Sequence, residues 1–264
     1  HGGAHFFAIE LGGRTGRWLG WQERRSFSVA DHLFAVSHYV ADRTREYLSL
    51  GDRPVEIIYN PVDLGRFHPM PEIAEVPGRI IFVGTLIEKK GIRQLLEAMP
   101  TVCKRFPEAH LEICGNDTID PKTGGSFRTQ LESAIPVALR SRIHFRGGVP
   151  RDELPALMAS ASLCLYPSHM EAMPIAWIEG LAMAKAVLAS RTGPGSEVIT
   201  HGEDGLLCNP HDPASIADGI MQALGDTGLR QRLGAAGRRR AERAHALSPL
   251  VEHNIASYER CLAR

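Results

Sequence analysis

From Arg79 onward the chain alternates short, uninterrupted apolar runs with amphipathic segments, and this alternation limits its fold more than any other feature. RIIFVG (79–84), AHLEICG (109–115), RIHFRG (142–147), SLCLYPS (162–168), AVLAS (186–190) and DGLLC (204–208) read as strands. GIRQLLEAMPTVCKRFP (91–107), RDELPALMASA (151–161) and PIAWIEGLAMA (174–184) read as helices, FRTQLESAIPVALRS (127–141) as one broken near Pro136, and EVIT (197–200) as the end of a short one. DPASIADGIMQAL (212–224) opens with an Asp cap and a Pro at the first helical position, and its Ile216, Ile220 and Leu224 fall on one face. Strands that are apolar on both faces and alternate with helices require a sheet buried from both sides. The expected class is α/β, with a doubly wound parallel sheet.

The first stretch follows a shorter version of the pattern. HLFAVS (32–37) and VEIIYN (55–60) read as strands flanking a helix, HYVADRTREYLSL (38–50). The NPVD turn (60–63) and the Pro-rich HPMPEIAEVPG (68–78) then mark a junction. We therefore expect two units, residues 1–62 as the tail of one domain and residues 63–264 as a whole second one, with the last helix packing back on the first segment. The first residue is His1, without an initiator Met, which suggests that the chain begins inside a longer gene or after processing. A first unit with so few strands would leave apolar edges, and these are candidates for pairing with a second copy or with a separate partner.

Composition narrows the function. Lys plus Arg and Asp plus Glu are both 30, so no global basic field calls for nucleic acid. No apolar run approaches the roughly 18 residues of a membrane span. The five cysteines are scattered and never form a C-x-x-C pair. They read as reduced structural thiols in a cytoplasmic protein. The basic run GRRRAERA (237–244) reads as a solvated face, or else as a peripheral contact with anionic lipid at the inner membrane surface or with a lipid-diphosphate acceptor.

Ligands of open α/β sheets bind at the carboxyl ends of the strands. Three strand-to-helix loops carry suggestive residues. In VGTLIEKKG (83–91), Gly84 permits close backbone approach, and Lys89 or Lys90 can neutralise a phosphate. In EAMPIAWIEG (171–180), Pro174 stands at a helix start whose free N–H groups suit an anion or hydroxyls. Its two carboxylates, Glu171 and Glu179, would lie roughly 12 Å apart if the whole segment were helical. Glycosidase pairs lie about 5–9.5 Å apart, so these two fit hooks on an extended ligand better than an acid–base pair. TGPGSE (192–197) gives a third helix start with backbone donors. Each loop alone also reads as an ordinary polar turn, and Trp177 as a packing residue.

The absences are informative too. The sequence contains no G-x-G-x-x-G after a strand, no G-x-x-x-x-G-K-[ST], no H-E-x-x-H and no G-x-S-x-G. DTIDPKTGG (117–125) lacks the terminal Glu of a calcium loop, and no metal-ligand cluster is evident.

Taken together, the loops are far more specific than any one alone. VGTLIEKKG, the stretch from FRGGVP to AVLAS, TGPGSEVI and HGEDGLLCNPHDPASIADGI occur in one order at one spacing. The chain resembles the donor-binding half of the retaining GT-B glycosyltransferases, glycosyltransferase family 4. The family's E-x7-E motif matches Glu171 and Glu179, and IIYNPVDLGRFHP resembles its interdomain segment with Pro61 in place of Gly.

The resemblance implies two Rossmann-like domains, the first incomplete here. It implies transfer of a sugar from a UDP- or GDP-linked donor to an acceptor hydroxyl with retention of configuration, usually discussed as front-face attack with the leaving phosphate as base. No metal or other cofactor is implied. The acceptor (a polysaccharide, a lipid-linked sugar or a small molecule) stays open. Carried over residue by residue, Glu171 and the backbone at Ala172 and Met173 would hold the donor sugar, and Glu179 the ribose. Lys90 would pair with the diphosphate beside Gly84 and Thr85, and the backbone near Gly148 and Val149 would cradle the base. His1 matches a His that faces the donor sugar across the family's cleft. Thr85 departs from the pattern, since the family usually has an Arg there; a hydroxyl brings no charge, so leaving-group stabilisation would rest on Lys90, helped by Lys89. Two other readings stand beside this one: a truncated, non-catalytic module that holds nucleotide sugar, and another GT-B-like enzyme such as an epimerase or phosphorylase.

Overall fold

Six parallel strands in the order β5-β4-β3-β6-β7-β8 carry the fold. The computed structural model describes residues 16–263 and the pair 8–9. The strands are β3 (Arg79–Val83), β4 (His110–Cys114), β5 (Ile143–Gly147), β6 (Leu163–Tyr166), β7 (Val187–Ser190) and β8 (Leu206–Cys208). Ile81 pairs with Glu112 on one side and with Cys164 on the other, so β3 is central.

Alternate residues feed opposite faces, as the strand period of two requires. Ile80, Phe82, Leu111, Ile113, Leu163 and Leu165 pack against α3 (Ile92–Arg105) and α8 (Pro213–Gly225). Ile81, Cys164, Tyr166, Val187 and Ala189 pack against α6 (Ile175–Ala182). That second core also takes in Ala35, Val36, Val40 and Ala41 of the first segment.

The first segment contains α1 (Arg17–Val29), β1 (Phe34–Ala35), α2 (His38–Leu48) and β2 (Glu56–Ile57). The strands expected over 32–37 and 55–60 shrink to two residues each, because β1 and β2 pair only with one another among the described residues. The segment is nevertheless well tied. Glu197 of α7 (Gly195–Val198) accepts from the backbone N–H groups of His38 (2.7 Å) and Tyr39 (3.2 Å) at the start of α2. Val62 donates to the His245 carbonyl at 2.7 Å. Helix α10 (Leu247–Leu262) returns to β2, where Glu56 accepts from Ser257 at 2.7 Å and pairs with His253, His32 and Arg260.

Two local expectations are corrected. Pro174 is the cap of α6 and not its first helical residue; its ψ of 105° is extended and Ile175 begins the helix. The basic run 237–244 is not a wholly solvated face. It sits in α9 (Thr227–Ala244), where Arg238 donates to the Phe67 and Ala182 carbonyls and Arg240 pairs with Asp204 at 2.9 Å. Only Arg239 of the three consecutive arginines is exposed. No helix among the described residues is long and apolar enough to cross a membrane.

All five cysteines are free. Burial pushes the Cys114, Cys164 and Cys208 thiols up to about 12, which makes them inert packing groups.

Candidate functional site

Chain direction across the sheet reverses beside β3. The order runs from β3 through β4 to β5 on one side, then restarts with β6 on the other. Such a switch point opens a crevice at the carboxyl ends of the two strands, because their following loops diverge. Here those loops are 84–91 after β3 and 167–174 after β6.

Two glycines let the loops approach. A Cβ at Gly115, after β4, would lie 1.8 Å from the Gly84 carbonyl oxygen. Gly91 has φ of 69°, in the left-handed region, and a Cβ there would lie 1.9 Å from the Pro167 carbonyl oxygen. The turn Glu88–Lys90 therefore presses on the 167–171 loop, and His169 N donates to the Lys89 carbonyl at 2.7 Å.

The crevice is a cleft of about 300 Å³. Lys89, Lys90, Glu171, Ala172, Met173 and Pro174 all line it, with Asn60 and Tyr166. Lys90 Nζ lies 2.5 Å from Glu171 Oε1. The two side chains are 22% and 11% exposed, so both charges sit in a partly dried wall. Pinning from the first segment shapes the rest of the loop. Ser37 Oγ donates to the Ala172 carbonyl at 2.7 Å, and Asn60 Nδ2 to the Met173 carbonyl at 3.0 Å. In a trans peptide the next N–H points the opposite way, so the Met173 N–H faces away from Ser37. The first-turn N–H groups of α6 add donors without intrahelical acceptors.

Other residues singled out in the sequence lie around this cleft without lining it. Gly84 is beside Lys90: a Cβ there would be 3.8 Å from Lys90 Cε. Thr85 follows in the same loop. Gly148 is held against Asn116, whose Oδ1 would meet an added Cβ at 2.2 Å. Val149 is partly buried against the core that α6 shares. Glu179 is buried in α6, one helix turn beyond the cleft wall, with Arg151 Nη2 3.6 Å from its Oε1. Burial raises its carboxyl above the ordinary range, while the Arg151 and Arg66 charges oppose the rise. Arg151 thus brings the loop after Gly148 to Glu179, while Lys90 and Glu171 line the cleft itself. His1 lies outside the described residues.

Sequence reasoning did not find Arg151, Asn60 or His169. Arg151 stands two residues after Val149 in a loop already marked, and Asn60 in the NPVD turn read only as a junction. His169 had no signal at all, since its partners Gln94 and His211 are remote in the chain. Among the described residues no group of three or more His, Cys, Asp or Glu side chains is arranged to hold a metal ion.

Comparison with known proteins bears on the fold and the family. A GDP-mannose-dependent α-(1-6)-phosphatidylinositol monomannoside mannosyltransferase of Mycobacterium tuberculosis is 28% identical over 233 residues, 81% of this chain and 58% of that protein. Sucrose-phosphate synthase from Thermosynechococcus elongatus superposes with a TM-score of 0.86 at 23% identity, covering 98% of this chain and 67% of that one. Anabaena HepE, solved with UDP and glucose, superposes at 0.81 and 18% identity over 93% of this chain and 68% of that one. The fold is that of the GT-B glycosyltransferases. The chain spans about half the length of the curated relatives it matches, with shares of 56%, 47% and 58% for three of them. Residues 1–66 match the family described as Glycosyltransferase Family 4, and residues 66–240 that described as Glycosyl transferases group 1. With two thirds of its length inside the second match, the chain belongs to the glycosyl transferases group 1 family.

Proposed function

We propose that this chain carries the donor site of a retaining glycosyltransferase that uses a UDP- or GDP-linked sugar. The observation that supports this best is the Lys90–Glu171 pair in a cleft at the switch point of the sheet. A cation for a diphosphate and an acceptor for sugar hydroxyls stand side by side there, which is what a sugar joined to a diphosphate requires. In this reading Glu171 and the Met173 N–H hold the donor sugar, and Lys90, with Lys89, stabilises the charge that grows on the departing nucleoside diphosphate. Gly84 and Thr85 flank the phosphates. Glu179 takes the ribose hydroxyls, and the backbone at Gly148 and Val149 borders the base. Charge stabilisation comes from lysine, so the reading calls on no metal. Retention with the leaving phosphate as base is compatible with a reading in which both carboxylates have binding roles and neither acts as nucleophile.

Support for the two candidate bases comes from relatives: one is named as GDP-mannose-dependent and another was solved with UDP and glucose. The acceptor is not specified by anything in the described cleft.

Equilibrium dialysis against UDP-glucose and GDP-mannose tests the reading. Micromolar binding of one of them, lost on Glu171→Ala and on Glu179→Ala, is expected. Binding of neither would overturn the donor-site assignment. Binding without any transfer to added acceptors would favour the second reading, a nucleotide-sugar module without turnover.

A further inference from the structure

His169 belongs to none of the roles assigned above, yet it joins four separate segments beside the cleft. Its backbone N–H donates to the Lys89 carbonyl at 2.7 Å, and its carbonyl accepts from Thr192 Oγ1 at 3.0 Å. Its ring does more. Nε2 lies 3.0 Å from Gln94 Oε1 in the first turn of α3. The ring also lies beside the Pro210 carbonyl, and it stacks on His211 with centroids 4.4 Å apart and planes 27° from parallel. Cδ2 would lie 3.5 Å from a Cβ placed on Gly91.

The location matters because Gly91 and Gln94 frame the end of the turn from which Lys89 and Lys90 project. That turn is three residues of 3₁₀ helix ending in a left-handed glycine, and it buries none of its residues. Such a turn has little packing of its own, so its place depends on what braces it. We propose that the His169 imidazole is a positioning residue: it braces the Lys89–Lys90 turn against the loop carrying Glu171, and so fixes Lys90 Nζ where a diphosphate is to be met. The proposal rests on the donor-site reading above.

The ring's chemistry fits a brace. Burial lowers its pKa and the neighbouring His211 lowers it further, against the opposing Glu88 charge, so it is neutral at pH 7. A neutral imidazole has one donor and one acceptor nitrogen. The donor suits the Pro210 carbonyl, and the acceptor is satisfied by the Gln94 amide turned to present its NH2, an orientation open to assignment. No competing cation is then added beside Lys89 and Lys90.

The experiment compares binding of a nucleoside diphosphate with that of the matching monophosphate, by calorimetry, in wild type, His169→Leu and His169→Gln. Both variants keep the main-chain bonds. Leu removes the ring's hydrogen bond to Gln94 and its polar contact with the Pro210 carbonyl, and Gln can restore one of them. The expected loss of diphosphate affinity in His169→Leu is about tenfold, equivalent to about 1.4 kcal/mol. Monophosphate affinity stays within about twofold, and His169→Gln recovers much of the loss. A parallel fall of both ligands, or no change in either, would overturn the proposal while leaving the donor site standing. Failure of the wild type to bind any nucleotide would remove the donor-site reading, and this proposal with it.

Discussion

Lys90 Nζ stands 2.5 Å from Glu171 Oε1, across 81 residues of chain and between two neighbouring strands of the sheet. Without ligand each charge neutralises the other. A donor would have to share this pair, taking Lys90 with its phosphates and Glu171 with its sugar hydroxyls.

Removing either charge should therefore act in opposite directions on free nucleotide. Lys90→Met should weaken nucleoside diphosphate binding by about 10- to 100-fold, the range of one charge-assisted contact. Glu171→Gln should strengthen it by a few fold, because Lys90 loses its internal competitor, while weakening the nucleotide sugar. Titration of the same nucleotide with and without its sugar checks both signs.

Glu179 offers a trade between stability and binding. Its carboxyl is raised by burial, with Arg151 and Arg66 opposing. A group whose folded pKa is raised favours the folded state fully only below its unfolded pKa, and that contribution is lost as pH rises through the folded value. Above the unfolded pKa, keeping this carboxyl buried is thus a burden on the empty protein. Glu179→Gln should raise the melting temperature at pH 7, with the gain shrinking as pH falls toward 4, and should lower nucleotide affinity. Thermal scans at both pH values, paired with titration, are decisive.

Gly91→Ala should damage the site from outside it. The residue needs φ of 69°, and its Cβ would collide with the Pro167 carbonyl. The strain of that backbone conformation alone is about 1–3 kcal/mol, and the loop shift should separate Lys90 from Glu171. Denaturant unfolding should show the stability loss, and calorimetry a larger loss of diphosphate affinity than Gly51→Ala causes, where the φ is also positive but nothing lies within 4 Å.

The basic run of α9 gives a test of architecture. Arg240 donates to Asp204, Thr200 and the Glu197 carbonyl, whereas Arg239 is exposed. Arg240→Ala leaves the nearly buried Asp204 without its cation and should cost about 3 kcal/mol. Arg239→Ala should stay within about 0.5 kcal/mol. Equal effects in chemical denaturation would contradict this division.

The parts of this molecule that were legible in the sequence are those set by local pattern. Ile80, Ile81 and Phe82 form a continuous apolar run because β3 is buried on both faces, and Ile216 with Ile220 repeats on the buried side of α8. The Asp212 cap was equally readable, and its side chain accepts from the Ala214 N–H at 3.0 Å. Long-range pairing was not. Nothing near Glu179 in sequence announces Arg151, and Arg238 and Arg240 look like solvent charges until the carbonyls of Phe67 and Ala182 and the carboxylate of Asp204 come to meet them. Pro174 was misread by one position because Pro is acceptable both as cap and as first helical residue, and only ψ separates the two.

The most direct measurement is a calorimetric titration of the chain with UDP, GDP and ADP, repeated on Lys90→Ala and Glu179→Ala. One nucleotide should bind in the micromolar range, and both substitutions should weaken it, since the proposed reading gives Lys90 the diphosphate and Glu179 the ribose of one ligand. Binding unaffected by either substitution, or no binding of any nucleotide, would contradict the assignment of this cleft as a nucleotide-sugar site.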